Sequence, residues 1–134
     1  MKPIFRLLPL FTLLLAGCGS DAAVDSADQQ AARFAATCSL SVRLADAQGV
    51  VAASPIIEPT HVAKIEAATA IAPGDHAVMV KLTPLGERRM QMHTRDAVGQ
   101  SAVIFCGEKE VTRARIMEPL GSSFQVNVPE GFGL

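Results

Sequence analysis

From Cys38 the chain alternates strictly, with Cys38, Leu40, Val42 and Leu44 on one side and Ser39, Ser41, Arg43 and Ala45 on the other. A two-residue period of this kind predicts a half-buried strand. Asp46-Ala47-Gln48-Gly49 supplies the turn after it, and residues 50–59 read as extended or irregular chain broken by Pro55 and Pro59. Thr60 is placed to cap a short helix to about Ala70, because Val62, Ile65 and the methyl of Thr69 would then share one face. Pro73-Gly74-Asp75 ends that unit. His76 to Leu82 follows as a second strand, whose unbroken apolar centre Ala77-Val78-Met79-Val80 predicts an interior place in a sheet.

Thr83-Pro84 is a strong helix start: threonine accepts from an orphan amide, and proline is tolerated in the first turn. The helix runs to about Asp96, with Gly86, Met90, His93 and Ala97 along one stripe and Glu87, Arg88, Gln91 and Arg95 outside it. Gly99 stands where a left-handed residue closes a helix. Ser101 to Cys106 and Val111 to Met117 form two strands joined through Gly107-Glu108-Lys109-Glu110, and Phe124, Val126 and Val128 alternate in a last strand. The expected fold is α+β, a mainly antiparallel sheet of about five strands with two helices on one face, in the order β-α-β-α-β-β-β.

The segment before Cys38 has a different character. Lys2 and Arg6 precede an apolar run, Leu7 to Leu15, that is interrupted only by Pro9 and Thr12. This charged-then-apolar layout is that of an export signal, and the run is too short to span a bilayer. It closes on Leu15-Ala16-Gly17-Cys18, which resembles the cleavage box of bacterial lipoproteins. The expectation is a signal peptide over residues 1–17, with Cys18 lipidated as the mature N-terminus; the alternatives are an ordinary secretory leader with a chance cysteine, or a short uncleaved anchor. The residue after the lipidated cysteine is Gly19 and not the aspartate that favours inner-membrane retention, so the expected location is the outer membrane, facing the periplasm. Residues 18–37 are small and polar, with Asp21, Asp25 and Asp28, and read as a tether. Its Ala-rich end, Asp28 to Ala36, is a candidate short helix carrying Phe34, although such a helix is marginal alone. The domain proper is residues 38–134.

Charge and composition narrow the function. Of 12 Lys and Arg, Lys2 and Arg6 leave with the leader, so 10 stand against 13 Asp and Glu, a net charge of −3. That balance gives no reason to expect nucleic acid. The absence of Trp and Tyr argues against base- or sugar-stacking platforms. With Cys18 committed to lipid, Cys38 and Cys106 form an even pair in an oxidising compartment, and a disulfide is the default reading. Two separately buried thiols or a redox role are the alternatives, although no Cys-x-x-Cys is present.

From about Val78 to Phe132 a set of ordered positions, Thr83, Gly86, Met90, Thr94, Gly99, Gly107, Ile116, Pro119, Leu120 and Gly121, follows one pattern. An apolar strand ends in Thr-x-x-Gly, a helix with a later Thr reaches a Gly turn, and a Gly-containing hairpin leads to a Pro-Leu-Gly turn and a final strand. The stretch resembles the head subdomain of the first periplasmic region of SecDF, the accessory factor of the Sec translocase. The resemblance implies the α+β fold above and association with exported polypeptides. In two respects the sequence departs from that pattern. Arg113 and Ala114 occupy the family's Ala-Pro pair, making one strand face basic with Arg115. The family's last helix would begin near Leu134, so the sheet surface it covers is expected to be exposed, or covered by the Phe34 segment or by a partner.

Few residues suggest chemistry. Met90-Gln91-Met92-His93 offers soft ligands for copper, but side chains two apart on a helix point to nearly opposite sides. His61 and His76 are lone histidines near element ends and are expected to be exposed. No Gly-x-Ser-x-Gly elbow is present, and Glu108-Lys109-Glu110 reads as a solvated hairpin tip. Arg88, Arg89 and Arg95, with Arg113 and Arg115, are candidates for a basic patch. The reading is therefore a module with no catalytic or metal residues and no cofactor, attached to a membrane by lipid and binding a protein partner through Arg113, Arg115, Phe124 and Val126. A structural envelope lipoprotein is the alternative.

Overall fold

The computed structural model describes residues 22–70, 73–129 and 132. The expected leader over residues 1–17 and the expected lipid site Cys18 lie outside the described residues.

The chain opens with helix α1 (Ala22–Thr37) and strand β1 (Leu40–Ala45). A single 3-10 turn at Pro59–His61 then leads into β2 (Val62–Ala68). β3 (His76–Leu82) and helix α2 (Pro84–Arg95) come next, followed by β4 (Ser101–Cys106), β5 (Lys109–Arg115) and β6 (Ser123–Val128). Two antiparallel three-stranded sheets result, one in the order β1-β4-β5 and the other β2-β3-β6. The α+β class agrees with expectation. The strand count and element order do not: the described chain has six strands in two sheets, with helices first and fifth in sequence.

The extra strand is β2, where a helix from Thr60 was expected. Val62 and Ile65 both pack on the core although they are three residues apart. In a regular strand that spacing would send them to opposite faces, but the register against β3 shifts between Val62 and Lys64. A bulge there inserts one residue and restores both side chains to one face, so an irregular strand imitates helical spacing. Pairing with β3 from Val62↔Leu82 to Ala68↔Ala77 satisfies the backbone that a helix would otherwise have bonded within itself.

The 3-10 turn also buries His61, contrary to its expected exposure. His61 Nδ1 accepts from the Glu58 amide at 3.0 Å, while its carbonyl accepts from the Thr83 amide at 2.9 Å. Helix α2 begins directly beside it. The Thr83 hydroxyl accepts from the Gly86 amide at 3.1 Å and Pro84 opens the first turn, as the sequence predicts. Gly86 is required by close approach: a Cβ there would sit 2.7 Å from the His61 carbonyl oxygen and 2.9 Å from its Cβ. Gly86→Ala is therefore expected to destabilise the fold despite alanine's better helix propensity. Overpacking against backbone costs roughly 1–3 kcal/mol, against a propensity gain of at most about 1 kcal/mol. A lower midpoint in equilibrium urea unfolding is the check.

The buried stripe of α2 is Gly86, Met90 and Thr94, continued by Ala97, with His93 half-buried beside it. Thr94 is wholly inaccessible yet satisfied: its hydroxyl donates to the Met90 carbonyl at 2.6 Å and accepts from the Leu120 amide at 2.8 Å. That bond ties the link between β5 and β6 to the helix. Arg89 does the same for the irregular segment before β2, its Nε donating to the Ile56 carbonyl at 2.9 Å.

The candidate helix Asp28 to Ala36 forms, but as part of a longer α1 that begins at Ala22, in the segment expected to be an unfolded tether. Ala31 and Phe34 are buried along one side of it, continued by Cys38, a spacing of three and four residues that makes one helical stripe. The helix packs on β2 and β3. An isolated helix of this composition is marginal in water, and burying Phe34 completely supplies the tertiary stabilisation it lacks. α1, with Phe34, thus covers part of the β2-β3-β6 sheet.

The two cysteines are bridged, Cys38 to Cys106, across a sequence separation of 68. β1 and β4 are antiparallel neighbours with Leu40 opposite Cys106, which brings Cys38 beside the end of β4. Gly107, at φ 62°, then makes the tight turn into β5, and its amide donates to the Ser39 carbonyl at 2.9 Å. One apolar core joins both sheets and both helices through Phe34, Leu40, Ile57, Val80, Met90, Ile116 and Val126.

Candidate functional site

The expected partner surface of Arg113, Arg115, Phe124 and Val126 is divided by the fold. On β6, Phe124, Val126 and Val128 share the inward face. Val126 lies opposite Val78 and has no accessible surface, so it belongs to the core and cannot contact a partner. Phe124 stands at the open start of the strand and is only partly buried. On β5, alternation places Ala114 inward and Arg113 and Arg115 outward, both exposed.

Arg113 is held in place. Its Nε bonds Glu110 at 2.8 Å and its Nη1 donates to the Gly49 carbonyl at 3.1 Å, fastening the β1 turn to the outer sheet face. Arg43 lies opposite Val103 on that face and stacks over Phe105, 5.1 Å from the ring centroid. Arg115, opposite Ser101, makes no ion pair or hydrogen bond among the described residues. Arg89 and Arg113 thus each anchor a loop, and the five arginines expected as a basic patch reduce near β5 to Arg115 with part of Arg113.

Among the described residues β5 is bonded only to β4, and β6 only to β3, so an edge of each sheet is left at the seam where these two strands approach one another. A cavity of about 300 Å³ opens there, walled by Val42, Met90, Ile104, Ala114, Leu120 and Phe124. Ala114 faces inward yet is exposed, because no strand covers it on that side.

A second concave region runs between α1 and β2, as two open grooves of about 340 and 410 Å³ lined by helix alanines and residues 62–67. Lys64 and Lys81 both pair with Glu66 there, at 2.6 and 3.1 Å. The hydrogen bond from Lys64, with that from Lys81, holds the Glu66 carboxyl below its ordinary range, and the bond to Glu66 raises Lys64 above its own. The carboxylate's stabilising contribution is present above its ordinary range and is lost as pH falls through the lowered value. Lys64's is present below its ordinary range and is lost as pH rises through the raised one. Both pairs are solvent-exposed, so their effect is small.

Met90 is buried and Met92 is 57% exposed, so the two thioethers diverge as helical geometry requires. Among the described residues no group of three or more His, Cys, Asp or Glu is arranged to hold a metal ion. None of the described helices is long and apolar enough to cross a membrane.

Fold and site together define a disulfide-bridged α+β domain of two small sheets, with an apolar cavity at an open strand seam. No protein-family model matches the chain, and no curated protein matches its sequence. Among solved structures its fold is similar to that of SecDF. The structure described as "Structure and function of a membrane component SecDF that enhances protein export" superposes with a TM-score of 0.54 at 16% identity, over 73% of this chain and 59% of that one. The crystal structure of SecDF in its super-membrane-facing form gives the same TM-score and identity over 75% of this chain and 18% of that chain. The chain thus spans 59% of the first structure and 18% of the second, and the likeness at this identity is one of fold.

The residues that carry the resemblance in the sequence have visible structural tasks. Thr83 caps α2, Gly86 admits the His61 backbone, Thr94 holds Leu120, and Gly99 and Gly107 take positive φ.

Proposed function

We propose that this chain is a lipid-anchored periplasmic module that binds polypeptides during protein export and catalyses no reaction. The observation that carries the reading is the SecDF-like fold, a likeness to a membrane component that enhances protein export. An apolar cavity beside unpaired strand edges supports it, since such edges accept extended chain. The charged-then-apolar layout of residues 1–17 before Cys18 supports the membrane anchor, and Gly19 supports the outer membrane with the domain facing the periplasm.

Two measurements test this. Intact-mass and peptide mass spectrometry of the membrane-purified protein should show residues 1–17 removed and Cys18 acylated; a retained leader or a free Cys18 thiol, in a cell able to acylate it, rejects the anchor. The full chain in detergent should bind a fluorescently labelled polypeptide kept unfolded and ignore the same polypeptide once folded. Equal or absent binding of the two forms rejects the module, leaving the structural envelope lipoprotein.

A further inference from the structure

Resting on that reading, we infer that the free edge of β5 receives one extended polypeptide segment whose side chains alternate between apolar and acidic. Towards its end the edge is accessible: Arg113, Ala114 and Arg115 are all exposed, and among the described residues β5 has a ladder partner on one side only, with β6 approaching it without pairing and Phe132 lying against Lys109 at its start. A segment pairing with β5 alternates its side chains across the two faces of the sheet, in step with β5 itself. Residues level with Ala114 project inward, where the 300 Å³ cavity backed by Met90, Ile104, Leu120 and Phe124 accepts an aliphatic side chain. Residues level with Arg113 and Arg115 project outward beside the guanidiniums. Among the described residues Arg115 has no partner of its own, and Arg113 pairs with one acid, Glu110. A carboxylate on the incoming strand completes that charge pattern, whereas a lysine would meet like charge.

Fluorescence anisotropy with the full chain in detergent tests the inference, using a labelled peptide as long as β5 that alternates Glu and Val, and its counterpart alternating Lys and Val. The acidic peptide should bind about tenfold or more tighter than the basic one, the scale of a single well-placed charge pair. Arg115→Glu should abolish or reverse that preference, and Ala114→Phe, which fills the cavity, should weaken both peptides. Arg115 is exposed and makes no bond among the described residues, so its variant keeps the test decisive even where Ala114→Phe fails to fold, as judged by its melting curve. Equal affinity for the two peptides, or a preference untouched by Arg115→Glu, overturns the inference. A parallel titration with an unfolded polypeptide lacking such alternation separates the two levels: if it binds while the peptides show no preference, only the β5 site falls, and if nothing binds, the polypeptide-binding reading falls with it.

Discussion

Phe34→Ala is expected to lower the unfolding free energy by about 3–5 kcal/mol, the usual cost of truncating a fully buried aromatic side chain. Phe34 has no accessible surface, and Ala31 and Cys38, its neighbours on the helical stripe, bury far less area. Without that anchor α1 reverts to an alanine-rich segment too weak to persist alone, so the variant should also lose helical signal in far-UV circular dichroism. Arg33, exposed on the same helix, gives a local readout: trypsin should cut after it much faster in the variant than in the parent. An urea midpoint within about 1 kcal/mol of the parent, with no faster cleavage, would show that α1 contributes little to the domain.

Breaking the Cys38–Cys106 bridge is expected to cost about 4 kcal/mol, because a separation of 68 residues leaves a long loop unconstrained in the unfolded chain. The bridge also joins the end of α1 to the end of β4, so its loss loosens the helix and the first sheet together. In urea unfolding, reductant should shift the parent to the midpoint of the Cys38→Ala/Cys106→Ala double variant and leave that variant unmoved. A reductant effect of equal size on both would show that the stabilisation has another source.

Where hydrophobic periodicity was clean, it identified the elements. β1 and β6 follow their alternation, β3 its unbroken apolar run and α2 its Thr83-Pro84 start; the β4–β5 hairpin forms, but with β5 beginning at Lys109, so that Lys109 and Glu110, expected at the tip, pair with β4. β2 was hidden because a one-residue bulge makes its inward side chains repeat at three, a spacing that periodicity alone reads as helix. α1 was partly hidden because its composition is that of a solvated linker, and one fully buried phenylalanine decides its fate. His61 defeated the reading for a local reason: its ring nitrogen completes a 3-10 turn at Glu58, a satisfaction that leaves no periodic trace.

The candidate surface shows a different kind of miss. Val126 and Val128 are fully buried in the core, so Val126 offers no surface to a partner, whereas Phe124, at the open start of β6, is only partly buried and walls the cavity. Arg113 and Arg115, by contrast, are exposed as expected. What no sequence pattern could reveal is that β5 and β6 become edges of two separate sheets beside one cavity, since that depends on pairings between residues far apart in the chain.

The proposed role requires contact between this domain and polypeptides on their way out of the cell. Pulse-labelled cells carrying a photo-crosslinking residue at position 123, beside the seam, measure that contact directly. The expected result is crosslinks to newly exported polypeptides that disappear during the chase and are lost when Cys18→Ser removes the anchor. Crosslinks that persist unchanged through the chase, or none above those from the same probe at the remote, exposed position 53, would contradict it.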